Sequence, residues 1–352
     1  MNMNKKNIVL LIIILGLISW VGCSSLSNSK AEMELQKESE SFQEETIQPE
    51  DLKTEIEPPE QEEDSIEFEI IDIPFCIEQA AEYIAEMTAI WDEDDGELWG
   101  MYLHAPVMII CRNTREIITN VPDNEGSLVP VETEFGIVYS GFYPKNYFLG
   151  NTIVHWNDTW WGMSIWQDLI NSWGGLYIMA HEAFHVVQWM EWSIKSIAPL
   201  KHIYQNKDGE VESVRGEVHA LYRALNSTGD ERNEAIREVL LYRTLRQEKL
   251  EHLELGNLLL NSEFNNEITE GMAMYTAFKL VYHDWDEIDK LLTSFITALE
   301  RENVRFAGPD FLFGYISGAL YAFLLDDLGI NWKEGITIQT NLAVFLEEFL
   351  LQ

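Results

Sequence analysis

Residues 174 to 190 constrain the fold most, because apolar side chains recur there with helical spacing while ionisable side chains lie among them. The apolar positions are Leu176, Met179, Ala180, Ala183, Phe184 and Val187. A stripe of this kind predicts a buried helix. The segment also carries His181, Glu182 and His185, and burying such groups is costly unless they find partners. The sequence therefore predicts an interior site that supplies partners to two imidazoles and a carboxylate.

The run His181-Glu182-Ala183-Phe184-His185 matches the HExxH motif of zinc hydrolases. Residues four apart share a helix face, so the two imidazoles can converge on one metal ion while Glu182 lies beside its open coordination position. With 8 histidines among 352 residues, the pattern should arise by chance in about one such chain in fifty. The motif within a buried helix therefore favours Zn²⁺ held by His181 and His185, with Glu182 as a general base.

The first 22 residues have the pattern of a secretory signal. Lys5 and Lys6 precede an apolar stretch, Ile8 to Trp20, that is too short to span a bilayer comfortably, and Val21-Gly22-Cys23 follows. This resembles a bacterial lipoprotein signal peptide (residues 1–22), which implies that Cys23 carries the lipid, including palmitate. A plain secretory leader or an uncleaved anchor is the alternative. Each version implies an extracytoplasmic protein, and lipidation would anchor it in the bacterial cell membrane.

Residues 23 to 65 are predicted to form a disordered acidic tether behind the lipidated cysteine. From Ser24 onward this segment is polar, contains Pro49, Pro58 and Pro59, and has almost no aromatic residue. It cannot bury enough apolar surface to offset the entropy of ordering. A flexible chain of this length has a root-mean-square reach of roughly 35 Å. We expect the folded body to stand clear of the lipid surface.

The rest of the chain predicts an α+β fold that changes character near residue 170. Residues 66–170 read as an α+β subdomain with a helix near Cys76 to Trp91, a β-hairpin around Arg112-Asn113-Thr114, and strands at Gly136 to Tyr143 and Asn151 to Trp156. Residues 171–352 read as a mostly helical, zinc-binding catalytic subdomain. Beyond the HExxH segment, helical periodicity recurs at 213–226, 230–255, 265–282, 285–300 and 313–328. We therefore expect a small mixed or antiparallel sheet followed by a helical half.

The net charge limits which binding partners are expected, and the cysteine content limits which disulfides and metal sites are possible. The net charge of −37 disfavours nucleic acid and anionic lipid surfaces, so no nucleic-acid partner is expected. Besides Cys23 there are only Cys76 and Cys111, which could form one disulfide or remain buried free thiols. Their spacing fits neither a zinc ribbon nor a redox pair. Nothing in the sequence indicates an oligomeric state.

A catalytic zinc site needs a third protein ligand. The next histidine after the motif is His202, which lacks the HxxGxxH spacing and argues against the metzincin branch. The run TEGMAMY, at 269–275, resembles the NEGxAxY helix of gluzincins, in which the glutamate before the glycine binds zinc. The resemblance implies Glu270 as the ligand. Glu267, one helical turn earlier, is the rival ligand, and its alternative role is to support a ligand or to line the cleft.

A third block, FGYISGAL at 313–320, resembles the YxxG(A/P) helix that follows the ligand helix in several gluzincin-like families. The resemblance implies that Tyr315 stabilises an oxyanion. A buried aromatic residue at a helix start is the alternative. Arg243 and Arg246 are expected to pair with carboxylates of the helical insertion between the two ligand helices. His155 is a weaker candidate for the cleft wall.

Together these motifs resemble gluzincin-type (HExxH…E) zinc metallopeptidases of the peptidase MA-like superfamily, over His181 to about Asp326. The resemblance implies a zincin-like fold and a surface-tethered metallopeptidase that hydrolyses a peptide or protein substrate, with Glu182 as base. One alternative is a non-enzymatic lipoprotein of the same fold that acts as a binding or assembly factor. Another is a zinc hydrolase of a non-peptide amide or ester.

Overall fold

The computed structural model of the chain describes residues 74–171, 174–192, 208–252, 256–300 and 308–351. Within them the chain begins with helix α1 (Ile77–Asp94), which confirms the first predicted helix. The predicted signal peptide, the lipidation site Cys23 and the acidic tether lie outside the described residues.

Six strands follow α1 and form one mixed sheet. They are β1 (Val107–Ile110), β2 (Glu116–Thr119), β3 (Val129–Thr133), β4 (Gly136–Phe142), β5 (Thr152–Trp156) and β6 (Thr159–Ile165). Their order across the sheet is β3-β4-β2-β1-β6-β5. Among the described strands, only β1 and β6 run parallel, and the other four pairings are antiparallel. The predicted α+β class and the β1–β2 hairpin are thus confirmed, whereas β3 and β6 were not predicted.

Helices dominate the remainder, as predicted. They are α2 (Trp166–Asn171), α3 (Gly175–Met190), α4 (Asp208–Leu225), α5 (Gly229–Glu251), α6 (Gly256–Asn266), a π-helical turn (Glu267–Gly271), α7 (Met272–Val281), α8 (Trp285–Glu300), α9 (Gly308–Asp327) and α10 (Ala343–Leu350). The helix predicted near Asn265 to Tyr282 is confirmed, although its start and part of its hydrogen bonding differ from the prediction. The helical stretch begins at Gly256 and contains the wider π-helical turn, which an apolar pattern does not distinguish from an α-helical one.

The centre of the sheet is buried on both faces. Val107 and Ile109 of β1 belong to a large core that the sheet shares with the helices, whereas Met108 and Ile110 belong to a smaller core on the opposite face. This alternation follows from the two-residue repeat of a strand. The larger core contains residues from both sides of position 170, so the two predicted subdomains share it.

Helix α3 lies against the backbone of β6 at Gly162. A Cβ atom at this glycine would lie 2.8 Å from the Glu182 carbonyl oxygen and 2.9 Å from the Ala183 nitrogen. Only a residue without a side chain allows this approach. Gly162 therefore fixes the depth at which the HExxH segment packs on the sheet.

Two cysteines lie among the described residues. Cys111 is a buried free thiol, but Cys76 is an exposed free thiol just before α1, so the disulfide alternative is excluded and the burial expected for Cys76 was wrong. Among the helices that the structure describes, none combines the length and apolar character needed to cross a bilayer.

Candidate metal centre

Three side chains predicted as metal ligands converge at one point. Helix α3 carries His181 and His185, and the π-helical turn carries Glu270. The two Nε2 atoms lie 2.9 Å apart, and Oε2 of Glu270 lies 3.4 Å from Nε2 of His181 and 3.2 Å from Nε2 of His185. Ligand atoms about 2.05 Å from a tetrahedral zinc ion would be about 3.3 Å apart. The donor types and their spacing fit a single ion.

The centre is deep but open on one side. The His181 side chain is 1% exposed, whereas the side chains of His185 and Glu270 are 11% and 14% exposed. Solvent or a ligand therefore approaches from the side of His185 and Glu270.

Burial and mutual attraction set the protonation of the three groups. Burial lowers the pKa of His181 to about 4. Burial also acts to lower the pKa of His185, but the neighbouring Glu270 carboxylate outweighs it and raises that pKa to about 9. Burial would raise the pKa of Glu270, yet the two imidazoles hold it well below its usual range. Near neutral pH the centre thus holds one neutral imidazole, one imidazolium and one carboxylate, and a cation would replace the imidazolium proton.

Gln188 orients one of the predicted ligands, although no sequence motif indicated this role. Its Oε1 atom lies 2.8 Å from Nδ1 of His185, and its Nε2 group donates to the carbonyl oxygens of Ile268 and Thr269, each at 3.0 Å. Because the amide nitrogen is used on the two carbonyls, Oε1 must accept the Nδ1 proton of His185. That tautomer directs Nε2 of His185 to the metal position. Gln188 follows His185 by three residues on the same helix face, a spacing that could have identified it.

The π-helical turn separates the roles of Glu267 and Glu270. The Glu267 carboxylate is buried and accepts from Nη1 of Arg243 at 3.0 Å and from Oγ of Ser317 at 2.7 Å. Successive residues of a π-helix rotate less about the axis than those of an α-helix, so residues three apart diverge more. Glu270 therefore faces the histidines while Glu267 faces Arg243. Glu267, the rival ligand, lies outside the three-residue cluster.

Gly271 lets the π-helical turn cross α9 at close range. A Cβ atom there would lie 2.6 Å from Cα of Gly318 and 2.7 Å from the carbonyl oxygen of Gly314. Only a residue without a side chain allows this approach. The crossing also brings Tyr315 of α9 to the centre.

We expect Gly271→Ala to lower the free energy of unfolding by about 1–3 kcal/mol, because the added methyl group overpacks a backbone contact. Urea unfolding measures the change. Gly174→Ala is the matched control, since its Cβ atom would meet nothing closer than 3.7 Å. Equal stability of the two variants would contradict the tight crossing.

Two tyrosines flank the centre. The Tyr315 ring stacks on His181, with centroids 5.7 Å apart and planes at 10°, and its hydroxyl is hydrogen-bonded to the Glu270 carboxylate. Tyr177, which the sequence analysis did not single out, lies one turn before His181, with the two ring centroids 6.1 Å apart. Burial raises the pKa of both phenols, and Glu182 and Glu270 raise it further. Both hydroxyls are therefore protonated donors, and the oxyanion role of Tyr315 stays a prediction.

Glu182 is fully buried in α3 beside this cluster. Its carboxylate contributes to the raised pKa of His185, although burial and Glu270 are the larger influences there. Its carboxylate therefore acts electrostatically on the imidazole of His185 and on the two phenols.

The predicted pairing of the insertion arginines is confirmed. Arg243 contacts Glu217 at 2.7 Å and Glu267 at 2.5 Å, and Arg246 contacts Glu217 at 2.5 Å and Glu263 at 2.6 Å. All five side chains are buried. This network, contributed by α4, α5, α6 and the π-helical turn, lies directly behind the turn that carries Glu270.

His155 lies at the edge of the sheet. Its side chain is 49% exposed, is 3.8 Å from a carboxylate oxygen of Asp158, and contacts the Trp160 ring with centroids 4.8 Å apart. It does not belong to the three-residue metal cluster.

Comparison of the chain with protein-family models, with curated proteins and with solved structures found no match. The likeness to gluzincins therefore depends on the three sequence motifs alone.

Proposed function

We propose that the protein is a zinc metallopeptidase of gluzincin type, with His181, His185 and Glu270 as the metal ligands. The convergence of these three ligand atoms within 4.8 Å of one another is the observation that carries the proposal. Two imidazoles and a carboxylate are the donor set of one class of catalytic zinc sites, which keep a fourth position open. Bound zinc would supply a Lewis acid that lowers the pKa of a coordinated water to about 7.

In this proposal, different residues of the chain transfer the proton, stabilise the oxyanion and orient a metal ligand. Glu182 accepts a proton from the attacking water and passes it to the leaving amide nitrogen. Tyr177 or Tyr315 donates a hydrogen bond to the oxyanion that develops on the substrate carbonyl. The Tyr315 hydroxyl is hydrogen-bonded to Glu270, so Tyr315 would give up that bond to reach the oxyanion. Gln188 keeps the His185 ring in the orientation and tautomer that metal binding requires.

A peptide substrate is favoured by the free edge of the sheet near α3. Among the strands, helix α3 packs chiefly on β6 and also on β5, and among the described strands β5 pairs with β6 alone. The pair Trp156 and Thr159 closes a two-residue hairpin. With that register, Ile153 and His155 direct their backbone groups to the open edge. An extended peptide can add there as a further strand.

In the same proposal the enzyme is a lipoprotein, held at the extracytoplasmic face of the membrane through Cys23 and the acidic tether. The strongly acidic chain would keep the folded body away from anionic lipid. Zinc is its cofactor and a peptide or protein its substrate.

The test is metal analysis of the full-length protein combined with cleavage profiling on a proteome-derived peptide library. We expect one zinc ion per chain and defined cleavage products. One zinc ion per chain without peptide cleavage would favour the binding or assembly factor, and turnover of small esters or amides alone would favour the non-peptide hydrolase. Failure to bind zinc would overturn the proposal.

We expect Gln188→Ala to weaken zinc binding by about 10- to 100-fold, because the variant loses the hydrogen bond that orients His185 and the two that hold the π-helical turn. Competition with a chelator of known affinity measures the change. Gln167→Ala is the control, since this buried glutamine contacts Arg112 and Cys111 instead. Equal zinc affinity in both variants would remove Gln188 from the site.

A further inference from the structure

An aromatic wall extends from the candidate metal centre to the edge of the sheet. Tyr177, His181, His185 and Trp189 recur every four residues along α3 and so follow one face of the helix. The Trp189 ring lies beside Trp160 of β6, with centroids 4.5 Å apart. His155 of β5 continues the series against Trp160. Three rings thus link the helix that carries the histidines to the free edge of β5.

The two tryptophans of this wall remain partly exposed. Trp160 also packs against the larger core, and the Trp189 ring lies against Trp160. An indole side chain offers a large apolar surface whose burial is favourable. Two partly exposed indole rings beside a candidate catalytic centre provide the apolar lining that ligand sites use.

The rim of the wall is acidic. Asp158 is 82% exposed beside His155. Its carboxylate disfavours an acidic ligand side chain next to the rings. An aromatic or large aliphatic side chain can cover both indoles without an electrostatic cost.

The distance between His185 and Trp189 along α3 determines which substrate residue would contact the wall. Trp189 is about 6 Å beyond His185 along the helix axis. An extended peptide advances about 3.3 Å per residue. A side chain over the wall therefore belongs to a residue within about two positions of the bond at the metal centre.

We propose that Trp160 and Trp189 form a subsite that selects an aromatic or large aliphatic side chain of the substrate, within two residues of the cleaved bond. The inference depends on the proposed peptidase function, and it assigns that enzyme a substrate class. Trp189 is the residue to replace in a test, because replacing Trp160 would also remove packing from the larger core.

A set of otherwise identical peptides tests the subsite, with Phe, Leu, Ala, Arg or Asp at each position within two residues of the cleaved bond. For the full-length protein we expect kcat/KM at one position to be about 10- to 100-fold higher for Phe than for Ala. Trp189→Ala should bring that ratio close to one, mainly through KM, and Trp189→Phe should restore most of it. Trp285→Ala, which removes a partly exposed tryptophan on α8, should leave the ratio unchanged.

The possible outcomes separate the subsite from the peptidase function. Cleavage of the Phe and Ala peptides at equal rates would overturn the subsite and leave the peptidase function standing. A preference for Arg over Phe would also overturn it, because the rings would then bind cations. A Phe preference that survives in Trp189→Ala with an unchanged melting temperature would place the subsite elsewhere. Cleavage of no peptide at all would overturn both proposals.

Discussion

Replacing Glu182 with glutamine should abolish peptide cleavage while zinc content stays at one ion per chain. Glutamine has nearly the shape of glutamate, so the buried packing of α3 is kept, but its amide cannot accept the proton of the attacking water. General acid–base catalysis contributes about 10²- to 10⁴-fold, and we expect a loss of kcat in the upper part of that range. Steady-state assays on one cleaved peptide, with metal analysis of the same samples, measure both quantities.

Glu270→Gln is the matched control, because it makes the same chemical change at a proposed ligand. That variant should lose both zinc and cleavage, since a neutral amide oxygen replaces the ionised carboxylate of the site. The two variants therefore separate a base from a ligand. Cleavage by Glu182→Gln at the wild-type rate would show that another group takes the proton, and full zinc content in Glu270→Gln would remove Glu270 from the ligand set.

Local sequence patterns were sufficient to predict much of the fold. The apolar stripe around His181 predicted α3, and β-rich runs on either side of Asn113 predicted the β1–β2 hairpin. Strand β3 was not predicted, because it lies at the edge of the sheet, contains Pro130 and buries little apolar surface. Strand β6 was not predicted, because Gly162 interrupts its apolar pattern. The same glycine allows the backbone of α3 to approach the strand closely.

Much of the site could not be inferred from local patterns, because it depends on contacts between distant segments. The HExxH and TEGMAMY motifs identified His181, His185 and Glu270 as candidates. The role of Gln188 requires the carbonyl oxygens of a π-helical turn 80 residues later in the chain. The separation of Glu267 from Glu270 requires the same turn, and an apolar periodicity cannot reveal a change from α-helical to π-helical hydrogen bonding.

The buried ion network behind that turn should respond strongly to loss of Arg243. We expect Arg243→Met to lower the free energy of unfolding by about 3–5 kcal/mol, because removing one partner leaves buried carboxylates with too few counter-charges. Arg246 would then have to compensate Glu217 and Glu263 together, while Glu267 would keep Ser317 as its hydrogen-bond donor. Urea unfolding followed by circular dichroism measures the loss.

Arg237→Met provides the control on the same helix, since Arg237 is exposed and its replacement should change stability by less than about 0.5 kcal/mol. Because Glu267 begins the π-helical turn, Arg243→Met should also displace Glu270 and weaken zinc binding in the fraction that stays folded. A destabilised variant that binds zinc with wild-type affinity would show that Gln188 and Gly271 position Glu270 without the network. Stability equal to that of Arg237→Met would instead mean that the interior accommodates the carboxylates without Arg243, by protonation or by repacking around Arg246.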